Sequence, residues 1–234
     1  MSATDEGSVT AAPREGDAAK HHVIGWLRDA IMNGDIVPGQ RLVEAELAER
    51  LQVTRASVRA ALIDLSADGL VERIPNRGAR VRVVSVPEAV AITECRMVLE
   101  GLCAAKAAEA ATAAQAGQLA AIGQNMMRAV REGEPLKYSA LNRELHNLVH
   151  EMSGQAVATE LLQRLNAQIV RHQYRLSLRA GRPQVSLPEH LAIIEAITAR
   201  DPAAAEAAAR RHLRSVITAL GESGQPAGQP ATGR

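Results

Sequence analysis

Apolar positions in the first third of the chain follow the period of an α-helix. They predict a first helix that ends at Asn33-Gly34, a short second helix from Glu44, and a third helix from Thr54 to Asp68. Thr54 suits the N-cap because its hydroxyl can accept a hydrogen bond from a free backbone N–H. The inward-facing positions are Val23, Ile24, Leu27, Ala30, Ile31, Leu47, Ala48, Leu51, Val58, Ala61, Leu62 and Leu65.

A strand pattern follows the third helix. Residues 70–74 and 79–84 are rich in β-branched side chains, and Pro-Asn-Arg-Gly separates them at residues 75–78. A short turn with a glycine at its tip is typical of a β-hairpin. Three helices followed by a hairpin predict a winged helix-turn-helix domain over residues 18–85.

The chain is helical in pattern from Pro87 onward. The predicted helices cover residues 87–112, 115–132, 135–152, 156–179, 187–199 and 202–220. The fold class is therefore mainly α, with an N-terminal winged helix-turn-helix domain and a C-terminal all-α six-helix bundle over residues 87–220. Residues 1–17 and 221–234 are small and polar, and we expect disordered tails there.

Composition agrees with two globular domains and excludes several classes of protein. Of 234 residues, 47% are hydrophobic and 23% charged, which allows buried cores. One Trp, two Tyr and no Phe exclude an aromatic platform for single-stranded nucleic acid. No apolar run approaches a membrane span, and the N-terminus is acidic, so we expect a cytoplasmic protein with reduced Cys95 and Cys103.

Charge is informative only locally. The net charge of +1 identifies no partner, but residues 54–82 carry six arginines against Asp64, Asp68 and Glu72. Because duplex DNA is a polyanion, this segment is the candidate nucleic-acid face.

Residues 47–62 have the pattern of a helix-turn-helix. Small Ala48 permits a close helix crossing, and Val53 fills the turn between the helices. The start of the second helix is then free to face the major groove, where arginine can donate two hydrogen bonds to guanine. The predicted groove-facing residues are Thr54, Arg55, Ser57 and Arg59.

This half of the chain resembles the GntR family of transcription regulators. In that family, arginines at the positions of Arg41, Arg55 and Arg59 contact operator DNA together with the glycine of the wing tip, here Gly78. We expect Arg77, next to Gly78 in the predicted wing, to contact DNA as well. The resemblance implies a homodimer that binds a palindromic double-stranded operator. Gln52 departs from the glycine common at this turn. The segments that carry the resemblance are Gly39-Gln40-Arg41-Leu42, residues 54–62, Gly69-Leu70-Val71 and residues 76–81.

Three histidines on three predicted helices are candidate metal ligands. His146, His190 and His212 could converge in a bundle core, and Asn142 lies one helical turn before His146. Spacing alone leaves a second interpretation open, because isolated histidines on helices are more often polar core or surface residues.

The second half resembles the all-helical effector domain of FadR-like GntR regulators, the FCD domain. The resemblance implies that Asn142, His146, His190 and His212 hold a divalent ion, and that Arg96 faces the same cavity. Zinc or nickel suits imidazole ligands best. Four neutral ligands leave the charge of the ion uncompensated, which predicts a small carboxylate effector. The resemblance is carried by residues 94–101, 141–146, 189–197 and 201–213.

The leading interpretation is a ligand-responsive DNA-binding regulator, a repressor, and not an enzyme. A metal-only sensor is the first alternative, but Arg96 beside a metal calls for an anion between them. A metal-dependent hydrolase is the second, with Glu144 or Glu195 as general base. Glu144 is two residues from both Asn142 and His146 and so lies off their helix face, and Glu195 is five residues from His190.

Overall fold

The computed structural model describes residues 16–74 and 77–223. The chain forms two compact units, Met1–Val83 and Val84–Arg234. Most of the predicted tails lies outside the described residues. Helix nevertheless extends into both, because the first helix begins at Gly16 and the last ends at Ser223.

The first unit contains three helices and a small antiparallel sheet. The sheet has the order β1-β3-β2, with Arg41 paired to Arg80 and Val71 paired to Val81. The predicted helices and hairpin are present, whereas β1 was not predicted because two residues are too few to show alternation. The elements are α1 (Gly16–Asn33), β1 (Arg41–Leu42), α2 (Glu44–Leu51), α3 (Arg55–Ala67), β2 (Val71–Ile74) and β3 (Gly78–Val81).

The core of the first unit lies between α1 and α3. Val23 and Leu27 on α1, like Val58 and Leu65 on α3, have no exposed surface. At the edge of this core the guanidinium carbon of Arg50 lies 4.7 Å from the ring centroid of Trp26. A cation over the face of an indole is attracted by the ring, so this contact ties α2 to α1.

The second unit is all-α. Its largest core cluster joins α4, α5, α6, α9 and α10, with Leu119, Met126, Leu145 and Ile197 almost completely buried. Gly101 permits a close approach of α4 to α10, because a Cβ atom there would lie 3.1 to 3.2 Å from side-chain atoms of Arg210 and Glu206. The helices are α4 (Val86–Ala110), α5 (Ala113–Arg131), α6 (Pro135–Ser153), α7 (Ala156–Gln168), α8 (Val170–Ser177), α9 (Arg182–Thr198) and α10 (Pro202–Ser223).

The described part of this unit has seven helices, and the prediction of six is wrong. The segment predicted as one helix over residues 156–179 is divided at Ile169, whose backbone leaves the helical region (φ −107°, ψ 13°) and whose side chain is completely buried. The next helix begins at Arg182 instead of residue 187, with Pro183 in its first turn and Pro188 inside it. Burial of Ile169 explains the first of these boundaries, and a proline in the first turn is typical of a helix start. The mainly α fold class is confirmed.

Candidate functional site

The beginning of α3 and the tip of the hairpin border one concavity of about 690 Å³. Five arginines line it, so the surface is strongly positive. The four arginines predicted to contact DNA are all among its lining residues, although they come from three separate parts of the sequence. The lining residues discussed below are Arg41, Arg55, Arg59, Arg73, Arg77, Glu44 and Gly78.

Thr54 and Ser57 form the N-cap of α3. The backbone N–H of Ser57 donates to the Thr54 hydroxyl oxygen at 3.1 Å, and the two hydroxyl oxygens are 2.9 Å apart. Thr54 and Arg55 are exposed, as predicted, but Ser57 is 8% exposed. The Ser57 side chain is therefore largely withdrawn from solvent, and its contact with DNA stays a prediction. Its hydroxyl takes part in the cap.

Gly78 at the wing is fixed by its backbone. Its φ is +85°, and a Cβ atom there would lie 2.6 Å from the carbonyl oxygen of Leu42. The side chain of Arg41 supports the same tip, since its Nε donates to the backbone carbonyl of Arg77 at 3.2 Å. The predicted turn residues Pro75 and Asn76 lie outside the described residues. The geometry thus explains why a glycine is needed at position 78, in addition to the DNA-contacting role that the resemblance implies.

Glu44 is a member of the concavity that the sequence did not identify. Its carboxylate accepts three hydrogen bonds from Arg59, the shortest at 2.7 Å between Nη2 and Oε2. The only signal in the sequence was an acidic residue in the first turn of α2, which is common for reasons of the helix dipole.

The three predicted metal-ligating histidines come together in the second unit. His146 on α6, His190 on α9 and His212 on α10 each have a ring nitrogen within 4.8 Å of those of the other two. Asn142 lies one turn before His146. Among the described residues, neither Asn142 Oδ1 nor His190 Nε2, both buried, has a hydrogen-bond partner. Three converging imidazoles, one of them with an unpartnered buried nitrogen, and an unpartnered buried amide oxygen one turn before another are the features of a ligand site.

Each of these histidines is held through its Nδ1 atom. The partners are the Tyr138 hydroxyl for His190 at 2.9 Å, Glu189 Oε2 for His212 at 2.8 Å, and Glu100 Oε2 for His146 at 3.3 Å. An Nδ1 atom engaged in this way leaves Nε2 as the free ring nitrogen. Metal-bound histidines are usually oriented by such carboxylate or hydroxyl partners.

Burial keeps two of the imidazoles neutral. It lowers the pKa of His190 and of His212 well below the ordinary value, and the neighbouring histidines lower both pKa values further. Burial alone would raise the pKa of Glu100, but its contacts with His146 and His150 hold that pKa well below the ordinary value. His190 and His212 are therefore offered as neutral imidazoles, the form that binds metals.

Arg96 lies beside a buried carboxylate that was not predicted. Its Nη2 donates to Glu100 Oε1 at 3.4 Å, while its Nε is buried without a partner among the described residues. His150, assigned no role from the sequence, also contacts Glu100 at 2.8 Å. The expectation that only neutral groups surround Arg96 and the metal is wrong. Nothing in the sequence indicated that Glu100, an acidic residue one helical turn after Arg96, would be buried.

The residues present fit a first-row divalent metal. Three imidazoles and an amide oxygen form a donor set that suits zinc or nickel. A second combination of nearby ligand atoms, Glu100, His146 and His150, shares His146 with the first and lies beside Arg96. The bases considered for a hydrolase, Glu144 and Glu195, are both exposed.

A winged helix-turn-helix with an arginine-lined concavity, in one chain with a helical unit that holds a buried polar centre, defines a DNA-binding regulator. Residues 19–81 match the model of "Bacterial regulatory proteins, gntR family", and residues 91–215 match that of the FCD domain. The chain belongs to the GntR family and carries an FCD domain. It is a transcriptional regulator and not an enzyme.

A curated relative agrees with this assignment, and two solved structures agree with the fold. The HTH-type transcriptional repressor RspR of Escherichia coli is 29% identical over 190 residues, which cover 81% of this chain and 83% of RspR. The solved structure of E. coli McbR/YncC has a TM-score of 0.75 at 20% identity and covers 88% of this chain and 98% of its own. The solved structure of a GntR regulator from Rhodococcus sp. RHA1 has a TM-score of 0.71 at 22% identity and covers 88% of this chain and 99% of its own. No described helix has the length and hydropathy to cross a membrane.

Proposed function

We propose that this chain is a metal-containing, ligand-responsive repressor that binds a palindromic operator as a homodimer. The observation that carries the proposal is the convergence of three histidines in the FCD domain of a chain that also bears an arginine-lined DNA-binding face. The relative RspR, described as a repressor, supports repression as the mode of regulation.

In this proposal α3 lies in the major groove. Arg55 and Arg59 read base edges, because their guanidinium groups are exposed near the start of the helix. Arg41 and Arg77 lie at the wing and bind phosphates, which position the protein without reading sequence. Thr54, the exposed residue directly before Arg55, reaches the phosphate backbone of the DNA.

The FCD domain holds one divalent ion through Asn142, His146, His190 and His212. Bound there, the ion supplies a positive charge to which an anionic ligand can bind. Glu100, Glu189 and Tyr138 keep the imidazoles in place, and burial keeps at least His190 and His212 neutral.

The effector is a small carboxylate that binds between the ion and Arg96. The charges of Arg96 and Glu100 cancel, as do those of Arg182 and Glu189, which lie 3.5 Å apart. The charge of the divalent ion therefore stays uncompensated, and a carboxylate reduces it. The unpartnered Nε of Arg96 offers this anion a donor. A metal-only sensor would leave both the ion's charge and this donor unsatisfied.

The metal is tested on dialysed protein by elemental analysis and by thermal shift with and without chelator. We expect roughly one ion per chain, a lower Tm with chelator, and no metal in His146→Ala/His190→Ala. His22→Ala, a change in the first unit, should keep its metal. Metal-free wild type, or equal metal in the double variant, would contradict the assignment.

The effector is tested by calorimetry with citrate and acetate as probes, and by release from a duplex obtained by selection from a random library. Arg96→Ala should keep the metal but lose carboxylate-induced release, whereas His190→Ala should lose both. Equal carboxylate binding by wild type, Arg96→Ala and chelated protein would show that the cavity assignment is wrong.

The DNA face is tested with the same selected duplex. Arg55→Ala and Arg59→Ala should each cost about 1 to 3 kcal/mol in binding, while Arg41→Ala and Arg77→Ala should weaken binding with less dependence on sequence. Arg28→Ala on α1, outside the lining of the concavity, is the control. Unchanged affinity in both α3 variants would exclude this recognition helix.

A further inference from the structure

Arg59 and Glu44 make the most extensive side-chain contact in the DNA-facing concavity. Arg59 Nε donates to both carboxylate oxygens at 3.1 Å, and Arg59 Nη2 donates to Oε2 at 2.7 Å. Arg59 is 58% exposed and Glu44 only 17% exposed. The acidic partner is therefore the better-fixed of the two, and it anchors an arginine that reaches toward solvent.

The contact uses one particular edge of the guanidinium group. A guanidinium has five N–H donors in a rigid planar fork, and Glu44 occupies the edge formed by Nε and Nη2. The end of the fork, formed by Nη1 and the second hydrogen of Nη2, stays available. Two parallel donors at that end match the O6 and N7 acceptors of guanine in the major groove.

Glu44 is electrostatically out of place on a surface that binds phosphates. It lies in a concavity lined by five arginines, and a negative charge there opposes the approach of DNA. The hydrogen bonds from Arg59 lower the pKa of Glu44, and nearby Arg55 and Arg73 contribute to the same shift. The carboxylate is therefore charged at neutral pH. Orientation of Arg59 is the benefit that can offset its repulsion of phosphates.

We infer that Glu44 is a positioning residue for operator recognition, whose carboxylate holds the Arg59 guanidinium so that the free end of the fork reads a guanine. The inference rests on the proposed binding of operator DNA by α3. It makes base selection at one position depend on α2 as well as on α3. It also predicts opposite effects of Glu44 on specific and on non-specific binding.

The test is selection from a randomised duplex library, followed by affinity measurements on the selected duplex and on random duplex. Wild type should select a guanine that Arg59→Ala no longer selects. Glu44→Gln should reduce the preference for that guanine about five- to tenfold, the size of a typical coupling between contacting residues. Its affinity for random duplex should rise, because one negative charge is removed.

Three further variants separate position from charge. Glu44→Asp keeps the charge but shortens the side chain, so the guanine preference should fall without a rise in random-duplex affinity. In an Arg59→Ala background, Glu44→Gln should have no further effect on base preference. Glu46→Gln removes the same charge from the same turn of α2, where Glu46 is exposed. It should leave the base preference unchanged.

Several outcomes would overturn the inference. Equal gains by Glu44→Gln on selected and random duplex would mean that Glu44 only masks Arg59. A loss of base preference that persists in the Arg59→Ala background would mean that Glu44 reads a base itself. A fall in Tm with loss of both affinities, in Gln and Asp variants alike, would mean a purely structural role. A wild-type protein that selects no sequence would instead contradict operator binding itself.

Discussion

Two carboxylates near the histidine cluster, one buried and one partly buried, orient other side chains. Glu100 contacts Arg96, His146 and His150, and Glu189 contacts Arg182 and His212. A histidine that is already oriented loses less conformational freedom when it binds an ion. The affinity of the proposed centre for metal should therefore depend on residues that do not touch the ion.

We expect Glu100→Gln to weaken metal binding about 10- to 100-fold, the usual effect of removing an outer-shell partner of a ligand histidine. The amide keeps the size of the side chain but loses the charge that holds the ring of His146. Competition with a chromophoric chelator measures the affinity. Glu109→Gln, at an exposed position of the same helix, should be neutral. Equal affinity of the Glu100 and Glu109 variants would contradict this role.

The stability of the metal-free protein should fall as the pH falls below about 6.5. Burial lowers the pKa of His190 and His212 below that of unfolded histidine, so in this range the unfolded chain binds more protons than the folded one. The free energy of unfolding then decreases by at most about 1.4 kcal/mol per pH unit for each histidine.

Urea unfolding of chelator-treated protein at about pH 7.5 and pH 5.5 measures this dependence. A His190→Gln/His212→Gln variant should show a flatter pH dependence than wild type. The same slope in both proteins would show that these two histidines are not the source of the effect.

The convergence of the three histidines in the FCD domain could be predicted from the sequence, but their surroundings could not. Asn142, His146, His190 and His212 were identified by resemblance, because spacing alone favoured polar core or surface residues over a metal site. Glu100 and Glu44 were missed because an acidic residue in an amphipathic helix usually faces solvent. Their partners, His146 and Arg59, are 46 and 15 residues away. Such pairs become visible only when the helices pack.

At the scale of elements, the sequence predicted the boundaries of helices where local signals are strong. Thr54 caps the helix that follows it, as predicted, and the predicted boundary residues Pro87 and Pro202 lie in the first turns of their helices. The break at Ile169 has no comparable signal, because an isoleucine continues a helical pattern and only burial in its apolar cluster explains the turn. The start of α9 was predicted too late, at residue 187, whereas the helix begins at Arg182 with Pro183 in its first turn.

The wing should depend on a glycine for two separable reasons. Gly78→Ala places a Cβ at a φ of +85° and 2.6 Å from the Leu42 carbonyl oxygen, whereas Gly34→Ala meets nothing within 4 Å at a φ of +86°. Gly34→Ala should cost about 1 kcal/mol for its backbone conformation. Gly78→Ala should cost at least about 1 kcal/mol more, and weaken DNA binding as well.

Urea midpoints of the two variants measure this difference directly. Both substitutions are chemically identical and have nearly the same φ, so their difference isolates the contact between the wing and β1. Equal midpoints would mean that the close approach at Leu42 is relieved at no cost.

At the scale of the whole molecule, exposed apolar side chains identify a candidate surface for a second copy. Val98 and Leu102 on α4, and Val157 and Leu161 on α7, are paired at helical spacing on two helices that pack together, and Val157 is 74% exposed. Other exposed apolar residues, such as Leu136 and Val185, stand singly on different helices. Grouped exposed apolar residues usually mark an interface.

We expect Val98→Glu/Val157→Glu to be monomeric in sedimentation experiments and to bind a palindromic duplex far more weakly than wild type. A charge at a dimer interface must be desolvated without a partner, which disfavours association. Val185→Glu on α9 adds a charge at another exposed apolar site and should remain dimeric. A dimeric double variant would place the interface elsewhere.

The contact between Arg50 and Trp26 has a practical consequence. Trp26 is the only tryptophan of the chain and lies in the DNA-binding unit, while Tyr138 and Tyr174 lie in the other unit. Fluorescence excited selectively at the indole therefore reports on the winged helix-turn-helix unit alone. The Arg50 cation over the ring makes this fluorescence sensitive to movement of α2. The two units carry separate intrinsic chromophores, so a carboxylate that reaches the helical unit and alters the indole signal reports communication between them without any label.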